Sequence, residues 1–396
     1  MNNDVSKLQD IGMFKQSHLN RQIPPLAHTP MYNWHKFWAR KTWNVVGEFI
    51  KTYSKEGEIV FDPFAGSGVT AIEALRNNRR AIVCDLLPIA TEIIRLTIKP
   101  VSETELFEAF ELIEKKVKDK ILNLYRTNCR NCRKEINFNC AIWNKSRCIE
   151  IRYQVCPYCG DRRGKETDLI INDIQLLKEI ENNEIKEWYP NNPLYYPNGI
   201  PFKKKEKYES LSDLFTKRNL QALAWLMEAI EGESNKLLRD FLKIGFTSMV
   251  HLCTKMCPIS EKGHFTPFSS FWNQQSYWSA PIFMEQNVWL KFESAIMGPQ
   301  GLLRAKKESN SHFKEVKFAR DYQEVIDNKS DIYIHTGSSL ELMKKMPKGT
   351  IDYIFTDPPY DSSIQYGELA YLWVAWLKMD KSYLDSIVSC HAFNVG

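Results

Sequence analysis

Residues 58–85 read EIVFDPFAGSGVTAIEALRNNRRAIVCD. The apolar run Ile59–Phe61 has the length of a short buried strand and leads straight into Asp62-Pro63-Phe64-Ala65-Gly66-Ser67-Gly68. Glycines at such a point let the backbone turn sharply and approach a ligand closely. The helix expected from Val69 to Leu75 presents free N–H groups at its start. Residues 80–85, RAIVCD, predict a second strand that ends on an acid, and Pro88 opens a further helix to about Lys99. Strand, Gly-rich turn, helix, strand, acid, helix is the first half of a doubly wound α/β domain.

Beyond residue 100 the alternation stops. Ser102-Glu-Thr-Glu105 is a capping-box pattern before a charged helix to about Tyr125. A Cys-rich basic segment, residues 126–165, and the irregular stretch WYPNNPLYYPNGIPF follow. Ser210 and Ser212 are expected to cap helices around 213–231 and 236–252. The α/β pattern returns at residue 331, where DIYIHTGSS predicts a strand and turn, LELMKKM a helix, and IDYIFTDPPY a strand ending in a special turn. The organisation expected is therefore a Rossmann-like domain in two parts, 1–100 and 328–396. An α-rich insert at 101–327 lies between them and is too long to be a loop.

The Gly-rich turn meets a dinucleotide-binding spacing only loosely, through Gly66, Gly68 and Ala71. Asp85 ends the second strand, the usual seat for a carboxylate that holds ribose hydroxyls. Together they suit an adenosine-containing cofactor without separating nicotinamide dinucleotides from S-adenosylmethionine. Thr356-Asp357-Pro358-Pro359-Tyr360 separates them. Two prolines hold the Asp357 carboxylate and the Pro358 carbonyl rigidly beyond a buried strand, and both are acceptors. An exocyclic amine on a planar base can donate two hydrogen bonds there while its ring stacks on Tyr360.

DPFAGSG with TDPPY resembles the amino-group, DPPY-type DNA methyltransferases. Together with the cysteine pairs below, it resembles the adenine-specific DNA methylases that contain a Zn-ribbon. The resemblance implies S-adenosylmethionine as cofactor, cradled by Asp62, Phe64, Ala65, Gly66, Ser67, Gly68 and Asp85. It implies a target amine held by Asp357, Pro358, Pro359 and Tyr360, with adenine N6 favoured over cytosine N4. HKFWARK, residues 35–41, resembles the segment that closes over the methionine end of the cofactor, so His35, Lys36 and Arg40 are expected there. In the resembled fold Ser338 borders the cofactor's adenine; capping the helix LELMKKM is an equally good use of it. The order of the motifs resembles the alpha arrangement, except that the insert precedes the third strand rather than the fourth.

Cys129-x-x-Cys132 and Cys156-Pro-Tyr-Cys159-Gly160 are 23 residues apart. Two such knuckles can supply four thiolates to a structural, tetrahedral Zn²⁺. Cys140 and Cys148 are the alternatives not chosen, and Cys257 is expected to be structural. Residues 126–165 hold ten Lys/Arg against three acids, more net positive charge than the +5 of the whole chain. Such a segment suits DNA phosphates. The stretch His264–Trp278 interleaves aromatics with Asn273, Gln274 and Gln275, which can stack on or read bases.

With 43% apolar and 26% charged residues the chain is of ordinary globular composition. No window is apolar enough for a transmembrane helix, and MNNDVSKLQDIGMFKQ is not a signal peptide. A cytoplasmic, site-specific, adenine-specific DNA methyltransferase of the restriction-modification type is expected, with DNA as partner and no membrane. The 36 residues after Tyr360 hold one helix and at most one strand. C-terminal strands are therefore expected to be missing, to be supplied by a further segment, and a restriction endonuclease is a second expected partner. A cytosine-N4 enzyme, an RNA base methyltransferase and a truncated, non-catalytic DNA-binding homologue are the alternatives.

Overall fold

A computed structural model describes residues 19, 21–162, 168–202, 208–259, 277, 280–359 and 364–392. In chain order its strands are β1 (Ile59–Asp62), β2 (Arg80–Asp85), β3 (Arg126–Asn128), β4 (Glu135–Asn137), β5 (Cys140–Asn144), β6 (Arg147–Arg152), β7 (Ile282–Gln286), β8 (Ile332–Thr336) and β9 (Tyr353–Ile354). They divide between two compact units. One comprises the described parts of 1–32, 39–100 and 309–359, the other those of 33–38, 101–308 and 360–396.

The first unit is built on a parallel sheet of order β8-β2-β1-β9. β1 is buried at every position, as a central parallel strand with both faces covered must be. Because side chains alternate, the sheet feeds two cores. Val60, Ala81, Val83 and Ile332 pack with Val46 and Ile50 of the helix Trp43–Tyr53, Ile72 of Val69–Arg76, and Ile94 and Ile98 of Pro88–Ile98. Ile59, Phe61, Ile82 and Cys84 face Val325 and Leu342, from the short helices Tyr322–Ile326 and Ser339–Lys345. The Asp352 carboxylate accepts the Ile59 N–H at 2.8 Å, which pins β9 alongside β1. Among the described residues β9 pairs on one side only, with β1.

Gly68 shows why the turn after β1 needs glycine. Its φ is +83°, and a Cβ there would lie 2.5 Å from Ile94 Cγ1. Gly68→Ala must adopt a left-handed backbone and push away the helix Pro88–Ile98. A loss of about 2–4 kcal/mol of stability is expected from the two effects together. Urea denaturation checks it; a loss under 1 kcal/mol would mean that the helix moves aside freely.

The second unit is mainly helical. The helix Glu103–Leu122 starts at Ser102, whose side chain accepts the Glu105 N–H as the capping-box pattern anticipates. The caps expected at Ser210 and Ser212 are not those of the two long helices. Lys217–Glu231 is capped by Thr216 and Lys236–Val250 by Asn235, while Ser210 opens a short 3₁₀ turn, Leu211–Leu214. β5 and β6 form a hairpin, and β7 adds to β5 as a third, antiparallel strand. At its heart Glu285 accepts hydrogen bonds from Trp143 Nε1 at 2.7 Å and Arg218 Nη1 at 2.9 Å, and from the Thr216 hydroxyl. The ionic partners are both buried, and the two neutral donors share the carboxylate's charge.

The two units part the chain at other points than the sequence pattern does. Residues 309–327 join the sheet unit, because Phe313 enters its core and the Ser309 hydroxyl donates to the Thr97 carbonyl. The helix Tyr366–Trp376 joins the helical unit. It is buried at every position from Gly367 to Trp376 and so has no face to leave in water. There the Tyr277 hydroxyl donates to the Glu368 carbonyl at 2.6 Å. No helix among the described residues is long and apolar enough to cross a membrane.

Candidate active site and metal centre

In the sheet unit Asp62, Asp85 and Asp357 stand at or just beyond the carboxyl ends of three adjacent strands, β1, β2 and β9. The strand order reverses at β1, and open α/β sheets bind ligands at such a reversal. The Gly-rich turn lies there. Gly66 and Gly68 both have positive φ, +51° and +83°, so the backbone folds back on itself with no side chain in the way. Phe64 is 43% exposed, while Ala65 and Ser67 are buried.

Asp85 ties this turn down. One carboxylate oxygen accepts the Gly66 N–H at 2.8 Å and the other the Leu87 N–H at 2.9 Å. Its backbone carbonyl accepts the Gly337 N–H at 2.9 Å, linking the ends of β2 and β8. Burial pushes the Asp85 carboxyl up to about 7, against the pull of those two N–H groups, with Asp62 adding to the rise. Asp62 accepts the Phe64 N–H at 3.0 Å, and burial raises it to about 6, with Asp357 nearby working in the same direction. Ser338 caps the helix Ser339–Lys345 by accepting the Glu341 N–H at 3.4 Å, the second of the two uses its position allowed.

Asp357 forms an ion pair with Lys41. Arg40, the preceding residue, donates from Nε to the Ser67 hydroxyl at 3.1 Å. Burial draws the Arg40 guanidinium down to about 10, which leaves it charged at neutral pH. Sequence reasoning reached Arg40 and missed Lys41. The signal was the consecutive cations in WARK, read there as cofactor contacts only. Asp357, Pro358, Pro359 and Arg40 thus share a unit with the Gly-rich turn, Asp85 and Ser338. His35 and Lys36 belong to the helical unit. There His35 is buried, with Nδ1 2.8 Å from the Lys36 carbonyl, Nε2 3.0 Å from the Thr247 hydroxyl and its ring edge-on to Trp373. Tyr360 and the stretch 264–276 lie outside the described residues, as does Trp278.

The helical unit brings Cys129, Cys132, Cys156 and Cys159 together, their sulfurs all within 4.8 Å of one another. Cys129 and Cys159 are 3.6 Å apart and Cys132 and Cys156 3.7 Å. Four sulfurs around Zn²⁺ at about 2.3 Å each would be separated by about 3.8 Å, so this donor set fits a closed tetrahedral site. Burial would push the Cys129 thiol up, but the N–H groups of Cys132 and Asn131 outweigh it and hold it at about 6. At Cys132 the pull of the Lys134 N–H is outweighed by burial and the neighbouring sulfurs, which push that thiol up to about 12. The set as a whole would need a metal's charge to become four thiolates. The Tyr153 hydroxyl accepts the Arg130 N–H at 2.9 Å and donates to Asp161 at 2.8 Å, packing both knuckles against each other. Cys140 and Cys257 instead pack with Ile142 and Met284 in an apolar cluster.

The basic charge around the knuckles is partly spent internally. Arg126 pairs with Glu135, Arg130 with Asp173 and Arg152 with Glu150. Arg133, Lys134, Lys145, Arg147 and Arg162 are exposed, and Arg163 and Lys165 lie outside the described residues. Lys134 sits over the exposed Tyr158 ring at 4.6 Å.

Residues 10–96 match the N6/N4 methyltransferase family model, described as DNA methylase. That span holds β1, the Gly-rich turn, β2 and the Arg40–Lys41 pair. No curated protein and no solved structure matches the chain. The mixed α/β architecture with its parallel sheet is compatible with a methyltransferase fold. Over residues 10–96 the chain is similar to the N6/N4 amino-methyltransferases, a family of DNA methylases.

Proposed function

We propose that the protein is an S-adenosylmethionine-dependent DNA methyltransferase acting on the N6 amine of an adenine turned out of the duplex. The observation that carries this reading is the row of Asp85, Asp62 and Asp357 at the carboxyl ends of β2, β1 and β9, with the Gly-rich turn at the reversal of strand order. S-adenosylmethionine, when bound, supplies a methyl group activated by its sulfonium. The chain's own part is to hold and orient. Asp85 accepts ribose hydroxyls while keeping the Gly66 amide in place. Asp357 and the Pro358 carbonyl accept the two N–H groups of the amine, draw its nitrogen toward pyramidal geometry and free its lone pair. Tyr360 stacks on the base once it has left the duplex. The cysteine cluster holds a structural Zn²⁺, and the exposed cations beside it contact DNA phosphates.

Incubating the full chain with methyl-labelled S-adenosylmethionine and unmodified DNA, then separating the nucleosides, tests this reading. N6-methyladenine is expected. Label in N4-methylcytosine would redirect the base assignment. Label in RNA alone, or none at all, would overturn the proposal.

The raised carboxyl of Asp85 makes cofactor binding pH-dependent. Hydroxyl donors prefer the ionised acceptor, and a group with a folded value of about 7 is mostly protonated at pH 6. The dissociation constant for S-adenosylhomocysteine is expected to rise roughly tenfold from pH 8 to pH 6. Stability of the ligand-free protein should move the other way. A carboxyl raised on folding stabilises fully below its unfolded value of about 4, and that contribution is lost as pH rises through 6 to 7. Calorimetric titration at the two pH values, with Asp85→Asn as the variant that should flatten the dependence, checks the first effect.

A further inference from the structure

The geometry points to Lys41 as a positioning residue for amine methylation: it clamps the Asp357 carboxylate against the Gly-rich turn's own anchor, Arg40. The inference rests on the reading of Asp357 as the acceptor of the target amine.

Two adjacent side chains reach two different turns. Arg40 donates to Ser67 inside the Gly-rich turn, and Lys41 pairs with Asp357 in the turn after β9. Their backbone is fixed from both sides. Ala39 before them has a φ of +52°, a left-handed conformation that a non-glycine residue adopts only when its surroundings hold it. Thr42 after them is the N-cap of the helix Trp43–Tyr53, its carbonyl accepting the Val46 N–H at 3.1 Å. That helix is anchored in turn. Trp43 stacks on Tyr32 with ring centroids 5.9 Å apart, and the Arg76 guanidinium lies 5.1 Å over the Trp43 ring. The segment is therefore a rigid strap that sets one turn relative to the other.

The need for a clamp comes from charge. Asp62, buried one strand away, is near enough to Asp357 for the two carboxylates to repel. An unclamped Asp357 would swing toward water and away from Asp62. The Lys41 ammonium opposes that swing, and its side chain is still 41% exposed, so it can yield or shift as a base enters. A carboxylate has about four acceptor sites, so Lys41 and an amine N–H can share Asp357. Lys41 need not touch the base or the cofactor. Its effect should fall on the reacting geometry, where a displacement of about 1 Å costs on the order of 100-fold in rate.

The test uses Lys41→Met and Lys41→Arg in the full chain. Lys41→Met should lower the single-turnover rate of methyl transfer by about 10- to 100-fold and leave S-adenosylhomocysteine affinity within about twofold. Lys41→Arg, which keeps a cation in reach, should restore most of the rate. Parental rates in Lys41→Met, or an arginine variant as slow as the methionine one, would overturn the assignment. A wild-type chain that methylates nothing would instead overturn the amine reading. The clamp then still meets a test, since melting temperatures of Lys41→Met, Asp357→Asn and the double variant should be non-additive by about 1–3 °C. Additive shifts would remove it.

Discussion

Asp357→Ala is expected to slow methyl transfer by on the order of 100- to 1000-fold, equivalent to about 3–4 kcal/mol of lost transition-state stabilisation. The loss should appear in the single-turnover rate and leave S-adenosylhomocysteine binding nearly intact, because the carboxylate is assigned to the amine and not to the cofactor. Folding does not confuse the result. Asp357 pairs with Lys41 at the surface, and such half-exposed pairs contribute at most about 1 kcal/mol. Removing the carboxylate also relieves its repulsion of buried Asp62, which offsets part of that small cost. The variant should therefore melt close to the parent while failing to turn over. Tyr360→Ala makes the contrast. Losing a stacking face should weaken capture of the turned-out base by roughly 1–3 kcal/mol and act mainly on DNA affinity. If Asp357→Ala methylated DNA at the parental rate, the DPPY turn would not be the amine site.

What could be read from the chain, and what could not, follows from sequence distance. The Gly-rich turn, the strand ending at Asp85 and the Cys129–Cys159 knuckles are local patterns in which a few neighbouring residues determine the geometry, and they appear where the spacing indicates. The Lys41–Asp357 pair joins residues more than 300 positions apart, and no local pattern announces it. β7 likewise joins β5 across some 140 residues, and no local pattern announces that pairing. The caps at Thr216 and Asn235 were missed for a different reason. Ser210 does open a turn, but a 3₁₀ turn, and the helix proper starts after it, capped by Thr216 six residues later. The helix Tyr366–Trp376 was recognised as a helix, but its grouping was not. An all-round apolar helix has no face that says which core it enters. Asp85 was assigned for what it offers a ligand, and its hold on Gly66 and Leu87 became visible only with the turn in place.

The largest effect on stability is expected from the metal. The four cysteines should bind one Zn²⁺ per chain that survives exhaustive dialysis, and Cys132→Ser should abolish it. In small zinc domains the binding free energy, about 10–16 kcal/mol at neutral pH, is the free energy that folds the module. The same dependence is expected of the knuckle segments 126–137 and 153–162, because β5 and β6 between them are held instead by β7 and the Glu285 network. β3 and β4 are three residues each, too short to persist alone. The bonds that dock them depend on the knuckles' shape. Thr127 donates to buried Asp173 at 2.6 Å, Arg130 pairs with the same carboxylate at 2.8 Å, and the Arg130 N–H reaches Tyr153. Without the metal the thiolates repel, the knuckles open and Arg130 leaves Asp173 as an uncompensated buried charge. The helices Lys217–Glu231 and Lys236–Val250 have their own apolar contacts and should persist. Hydrogen exchange before and after chelation separates the regions: protection should vanish across 126–137 and 153–162 and remain in β5, β6 and both helices. Elemental analysis giving no zinc in a protein fully protected at 126–137 and 153–162 would mean that the thiols pack without a metal.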